Sequence, residues 1–374
     1  MNVPKLRFKE FNDEYKTYKF YDVAKLCRGS SPRPIINFIT KSEDCVNWIK
    51  IGDVSPNETY INRTSEKITK EGAKKSRRVY KGEIILSNSM SFGRPYILNL
   101  DGCIHDGWFV VRDYEKLLNK EYLYHFMCSP LIQKQYKTLS AGGVVSNISS
   151  ELVYSVKLNI PSKEEQLKIA KFLSLLDKKI ELQSKKIEDL KLFKKGLSNN
   201  IFNNLKNFEE YKLGDLCNIT TGKLDANAMV ENGKYRFYTC AKEYSFIDEY
   251  SFDTEALLIS GNGAYVGYIH YYNGKFNAYQ RTYVLDQFSQ NIQFIKCYLD
   301  ENLSRRIKSE KKEGNTPYIV LSTLSDMIIK VPSKENQKNI SNIINYHQKK
   351  ILLEENKLQK LQELKKGLMQ NMFV

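Results

Sequence analysis

Three short stretches of the chain carry residue types that could do chemistry. Gly261-Asn-Gly-Ala-Tyr-Val-Gly267 follows an apolar strand, as a loop for a phosphate or for S-adenosylmethionine would. The residues Tyr265–His270 then alternate apolar and polar as a strand does, so the loop offers no helix N-terminus to an anion. The first half of the chain answers with Ser87-Asn-Ser-Met-Ser-Phe-Gly93, which lacks the first glycines, and both read as strand–turn–strand loops. Asn315-Thr-Pro-Tyr318 is one residue away from the Asn-Pro-Pro-Tyr motif with which amino-methyltransferases hold a flipped base. Such an enzyme also needs a cofactor domain, and no segment reads as a doubly wound βαβ sheet. His105-Asp106 has the types of a general base and its orienter, but no Ser or Cys nucleophile motif accompanies it. The four histidines (105, 125, 270, 347) have no metal-binding spacing, and there is no Walker A sequence. The chain reads as non-catalytic.

The cations are placed more suggestively. Lys74, Lys75, Arg77 and Arg78 form a dense patch suited to phosphate contacts. Arg33, Ser87, Asn88, Arg94 and His105 in the first half lie in or beside predicted turns, as do Thr221, Lys223, Asn262, Tyr265, Gln280 and Arg281 in the second. Gln280-Arg281 can offer bidentate pairing to adenine and guanine edges. Each of these residues taken singly can equally be a solvated surface group. The chain has 374 residues and a net charge of +15, which favours a polyanionic partner, nucleic acid first, although a Lys-, Asn- and Ile-rich composition from AT-rich codons accounts for some of it. Seven cysteines, odd in number and without a CxxC pair, fit a reducing compartment. With no signal peptide and no apolar run of membrane-spanning length, the expected location is the cytoplasm.

The elements that must position these residues are announced by a repeat. The phrase IPSKEEQ at 160–166 returns as VPSKENQ at 331–337, and the match runs without a gap from 160–197 over 331–368 with 16 of 38 pairs identical. It ends on Lys-Lys-Gly-Leu in both copies, and Asn200 and Phe202 continue it over Asn371 and Phe373. Each copy predicts a long helix. Ser162 and Ser333 are N-caps, and Glu165 completes a capping box that Asn336 forms more weakly. The apolar positions Ile169, Leu173, Leu176, Ile180, Ile187 and Leu190, and again Ile340, Ile344, Ile351, Leu358 and Leu361, keep a 4-3 spacing that makes an a/d seam. Gln183/Glu354 and Lys194/Lys365 interrupt the seam at matching places. They either fix the register of paired helices or are frayed surface positions. A helix of roughly 35 residues is about 50 Å long, which suits a spacer.

The helices divide the chain into an N-terminal extension (1–17), a first variable domain (18–159), a helix (160–205), a second variable domain (206–330) and a second helix (331–374). Tyr18-Lys19, Asp22 and Gly29 lie over Tyr211-Lys212, Asp215 and Gly222, so the variable domains share a frame with different filling. Both read as α/β (α+β) with short strands, among them 83–86, 109–111, 156–160, 256–259, 265–270, 282–285 and 327–331, and with helices near 120–137 and 291–308.

Two variable domains, each followed by a P-S-x-x-E/N-Q helix ending in K-K-G-L, resemble the specificity subunit of type I restriction-modification systems. Val3-Pro-Lys-Leu-Arg-Phe8, Trp48-Ile-Lys-Ile-Gly-Asp53, Ile85-Leu-Ser87 and Leu258-Ile-Ser260 are similar to phrases of that family. The resemblance covers essentially the whole chain. It implies two target-recognition domains, each reading half of a split, asymmetric double-stranded DNA site. It also implies an antiparallel coiled coil of the two helices with pseudo-twofold internal symmetry. Two modification subunits, which bind S-adenosylmethionine and methylate adenine, would dock on it, and restriction subunits using ATP and Mg would translocate and cleave. The chain itself would bind no cofactor. Two other classes remain open to the residues alone: a stand-alone methyltransferase or restriction enzyme, and a coiled-coil adaptor that does not touch DNA.

Overall fold

The computed structural model describes residues 3–55, 58–88, 93–140, 148–310 and 318–374. It divides into two compact units, Met1–Ser184 with Lys357–Val374, and Lys185–Asn356. Each unit therefore holds one variable domain and half of each long helix.

In the first unit a five-stranded sheet runs in the order Lys25–Arg28, Trp108–Arg112, Ile84–Ser87, Pro95–Leu98, Tyr60–Ile61. Its central strands are apolar without interruption because both faces are covered. Ile84, Leu86, Phe109 and Val111 point to a core shared with the helix Lys120–Cys128 and with Ile169 and Leu173 of the long helix. Ile85, Trp108 and Val110 point to a second core with Ile49, Ile61 and Val79. A four-stranded sheet supplies much of that second layer, in the order Glu66–Ile68, Val46–Ile49, Gly102–Ile104, Arg77–Val79. The second unit keeps a single six-stranded sheet: Asn218–Thr221, Thr282–Asp286, Phe252–Ser260, Ile269–Ala278, Tyr235–Tyr238, Ser245–Ile247. Leu257, Ile259 and Leu285 face the helix Ile292–Glu310, while Ala256, Leu258 and Val284 face Tyr238 and Phe276.

Each variable domain leaves and rejoins the helices through one antiparallel pair of strands. Lys16–Lys19 pairs with Lys157–Ile160 in the first unit, and Phe208–Lys212 pairs with Ile328–Pro332 in the second.

The long helices span Lys163–Asn203 and Lys334–Met372. They do not stop at the repeated glycines Gly196 and Gly367. A glycine inside a helix costs about 1 kcal/mol, and burial of Phe202 in one core and of Met372 and Phe373 in the other offsets it. Ser162 and Ser333 cap as expected, each accepting from the backbone N–H three residues on at 3.3 Å. Glu165 does not turn back on its cap, because Arg7 and Tyr15 bind its carboxylate.

The helices pair antiparallel within each unit. In the first, Asp177 meets Lys365. In the second, Lys186 meets Glu354 at 3.1 Å, Phe193 packs on His347, and Lys194 donates to Gln348 at 2.8 Å. From Lys186 to Phe193 the partner falls from Glu354 to His347. Lys194 and Lys365 thus perform the same cross-helix contact, one on Gln348 and one on Asp177, so the interruptions of the seam are paired groups and not frayed ones. The seam residues Ile169, Leu173, Ile187, Ile344 and Ile351 are buried, and Leu176, Ile180, Leu190, Ile340, Leu358 and Leu361 are half-buried. Beside the Asp177–Lys365 pair lies His125, whose Nε2 is 3.0 Å from the Ser174 hydroxyl. Burial, with Lys365 nearby, pushes its imidazole down to about 3, so it is neutral.

Two predicted elements come out differently. The helix expected over 120–137 breaks into Lys120–Cys128 and Pro130–Ser140, because Pro130 forces Ser129 into an extended conformation. The strand expected over 265–270 is a 3-10 turn at Gly263–Tyr265 followed by a strand that begins at Ile269.

Candidate nucleic-acid interface

Matching backbone hydrogen bonds among the described residues close one end of the main sheet in both units. In the first unit the amide of Gly93 donates to Ser87 O, Asn88 N–H to Gly107 O, and Ile148 N–H to Asn88 O. In the second, Gly267 donates to Ser260 O, Gly261 to Arg281 O, and Ile319 to Gly261 O. Gly93 and Gly267 both have positive φ, at 68° and 81°, which accounts for glycine at the end of each loop. Gly29 and Gly222 pass so close to the facing turn that a Cβ would run into the carbonyl oxygen of His105 or of Ala278. Alanine at either position is therefore expected to cost about 3 kcal/mol, the upper end for overpacking, because a backbone atom cannot step aside. Gly52→Ala, which meets nothing within 4 Å, should leave thermal melting nearly unchanged, and equal melting for all three variants would refute the close approach.

On this shared frame the side chains differ. In the first unit the segments 28–33, 74–78 and 105–106 meet at one rim. The Ser76 hydroxyl donates to Ser30 O at 2.6 Å, Arg77 Nε to Arg28 O at 3.1 Å, and Arg28 Nε to Asp106 O at 3.3 Å. Lys74, Lys75 and Arg77 are exposed there, with Lys75 over the Phe38 ring. Arg33 is exposed and 3.5 Å from Asp106. Arg78 is half-buried over Tyr80. Arg94 is half-buried over Tyr96, and among the described residues its buried Nε has no hydrogen-bond partner. Ser87 and Asn88 are inside the fold. The Ser87 hydroxyl accepts from Arg94 N–H, and the Asn88 amide donates to Asp106 O, so these two shape the surface and do not form it.

His105 and Asp106 do meet, at 2.7 Å. Gly107 N–H donates to His105 Nδ1, which leaves Nε2 to carry the proton toward the carboxylate. Both ring nitrogens are then occupied, and Ser31 binds Asp106 instead of the ring.

In the second unit Thr221, Asn262, Gln280, Arg281 and Tyr318 line a recess of about 190 Å3. Thr221, Lys223, Gln280 and Arg281 are exposed. Asp225 holds the Gln280 amide at 2.6 Å, a tether that the sequence did not reveal. No hydrogen bond or ion pair engages the guanidinium of Arg281 among the described residues. Asn262 is half-buried and bridges to Tyr318, and Tyr265 is exposed under the Lys242 ammonium. Arg236, also missed, lies between the rings of Tyr244 and Tyr272 at 4.3 and 4.5 Å. Its only sequence signal was the alternation of Tyr235-Arg-Phe-Tyr238. Of the motif Asn315–Tyr318, only Tyr318 lies within the described residues. Among the described residues no group of three His, Cys, Asp or Glu could hold a metal, and no helix is long and apolar enough to cross a membrane.

Comparison with known proteins gives a consistent set of matches. The family described as Type I restriction modification DNA specificity domain matches residues 12–192 and 205–363. The EcoDI specificity subunit of Escherichia coli is 40% identical over 130 residues, which is 35% of this chain and 29% of that protein. The MjaIX specificity subunit of Methanocaldococcus jannaschii is 23% identical over 95% of this chain and 92% of its own length. The crystal structure of a type I restriction-modification S subunit from M. genitalium superposes with a TM-score of 0.66 at 18% identity, covering 100% of this chain and 99% of that one. A chain from a structure of the type I R-M system concerned with complex assembly gives 0.61 at 16% identity, over 96% and 97%. These two structural likenesses establish the fold.

Proposed function

This chain belongs to the type I restriction-modification DNA specificity family, and on that premise we propose that it reads a bipartite, asymmetric DNA site and directs partner subunits to it. One observation carries the reading: a single loop frame is built twice, and its two copies present unlike side chains. Lys74, Lys75, Arg77 and Arg33 face solvent on one copy, and Lys223, Gln280 and Arg281 face it on the other. Two different readers on one chain favour a non-palindromic site. Tethering them raises affinity through effective concentration and demands a fixed separation of the half-sites.

The catalytic work falls to partners: two modification subunits that use S-adenosylmethionine to methylate adenine, and restriction subunits that use ATP and Mg. This chain binds none of these cofactors and works in the cytoplasm, where the DNA is. Support for two like partners comes from the outer faces of the long helices. Phe172, Leu175 and Leu182 are exposed, and so are their repeat equivalents Ile343, Tyr346 and Leu353. Exposed apolar side chains recurring at matching positions suit two copies of one partner.

The test is a modification map. The chain is expressed with its modification subunit in an unmethylated host, and N6-methyladenine is located across the DNA. One split, asymmetric motif that vanishes when the chain is omitted is expected. No new methylation from a folded, co-purifying complex would reduce the chain to a scaffold. Labelled methyl transfer by the chain alone would make it an enzyme. Binding to the mapped site should fall steeply with salt, as displaced counterions require.

A further inference from the structure

The repeated phrase ends on a glutamine in both copies, and the function proposed above makes no use of it. Gln166 and Gln337 are each 1% exposed. Gln166 accepts from the backbone N–H of Asn119 at 2.8 Å and donates to Leu117 O and Pro161 O at 3.0 Å each. Gln337 accepts from Asn291 N–H at 3.0 Å and donates to Gln290 Oε1 and Pro332 O at 2.9 Å each. Asn119 and Asn291 are themselves caps, their side chains accepting from Tyr122 N–H and Phe294 N–H. They begin the helices Lys120–Cys128 and Ile292–Glu310 of the two variable domains. One planar amide thus joins the first turn of each long helix to the first turn of the domain helix beside it.

We propose that Gln166 and Gln337 are positioning residues that fix the angle at which each recognition domain leaves its long helix, and so set the single half-site separation the protein accepts. The inference rests on the bipartite reading given above. Apolar packing makes up much of the rest of each junction, and the further hydrogen bonds between these helices join different groups in the two copies, His125 with Ser174 in the first and Asn345 with Gln293 in the second. Tyr122 and Phe126 share a core with Ile169 and Leu173, and Phe294 and Tyr298 share one with Phe202 and Ile344. Apolar contact is non-directional and tolerates a small rotation. Hydrogen bonds to a planar amide weaken steeply with angle and do not. The neighbours of the glutamine differ between copies, Glu165 against Asn336 and Leu167 against Lys338, while the glutamine and two of its bonds, to the cap N–H and to the proline carbonyl, recur. Both readers need the same attachment whatever bases they read.

The experiment uses the full chain in complex with its modification subunit. Duplexes carry both mapped half-sites at the native separation, and at one base pair more and one fewer. Wild type should prefer the native duplex. Gln166→Met and Gln337→Met keep the length of the side chain and remove its hydrogen bonds. Each should lower that preference by about fivefold or more, the worth of about one net hydrogen bond, while the bases read in both half-sites stay the same. An unchanged preference overturns the proposal, and so does an equal loss of binding on all three duplexes, which a merely structural role would produce. If a Met variant does not fold, Gln→Glu at the same position replaces it, with the same deciding outcomes. A wild type indifferent to separation would overturn the bipartite reading itself.

Discussion

Arg7→Ala is expected to destabilise the protein by about 3 kcal/mol. Glu165 is 1% exposed, so its carboxylate depends on its partners. Arg7 supplies two parallel hydrogen bonds, Nε to Oε1 at 2.9 Å and Nη2 to Oε2 at 2.8 Å, and the Tyr15 hydroxyl adds a third at 2.8 Å. Burial first, and the Glu165 carboxylate second, hold the Tyr15 phenol well above its usual range, so it remains a donor. Without Arg7 one carboxylate oxygen loses its donor inside the fold, where an unpaired charge is costly. The figure is at the low end for a broken buried pair because Tyr15 remains. Thermal melting measures it. Arg7→Leu combined with Glu165→Leu should recover most of the loss, since no charge is then left behind. Asn336, the repeat equivalent of Glu165, is exposed, and Asn336→Ala should stay within about 0.5 kcal/mol. Wild-type melting for Arg7→Ala would mean that the strap from the N-terminus is not held by this pair.

Replacing residues 18–159 with the same segment of a relative should change one half of the methylated motif completely and leave the other half as it was. The strand pairing is the reason. Tyr18 is opposite Leu158 and Lys19 opposite Lys157, so the ends of the segment lie side by side on one ladder. A substitute can be joined there without shifting the long helix. The replacement must still pack Phe20, Tyr122 and Phe126 against Ile169, Leu173 and Phe373, the core that seats the domain. Methylation mapping reads the outcome directly. A change in both halves would show that the readers are not independent and would sink the two-reader arrangement.

What the residues alone disclosed was whatever is written locally or repeated along the chain. The Ser162 and Ser333 caps, the 4-3 seam and the pairing of Gly29 with Gly222 depend on neighbours in sequence or on an ungapped duplication, so no folded structure was needed to find them. The family resemblance rested on the same features. Partners distant in sequence were the province of the tertiary structure. Gln166 finds Asn119 across 47 positions, Arg7 finds Glu165 across 158 and Lys194 finds Gln348 across 154. None of these choices has a local signature, because an amide or an ammonium bonds whichever group the fold brings to it. The same reason buried Ser87 and Asn88, which sit in a turn by pattern but inside the frame by packing, and left Arg281 facing solvent. Residue type and spacing placed the loops, and only long-range contact decided which of their side chains face solvent.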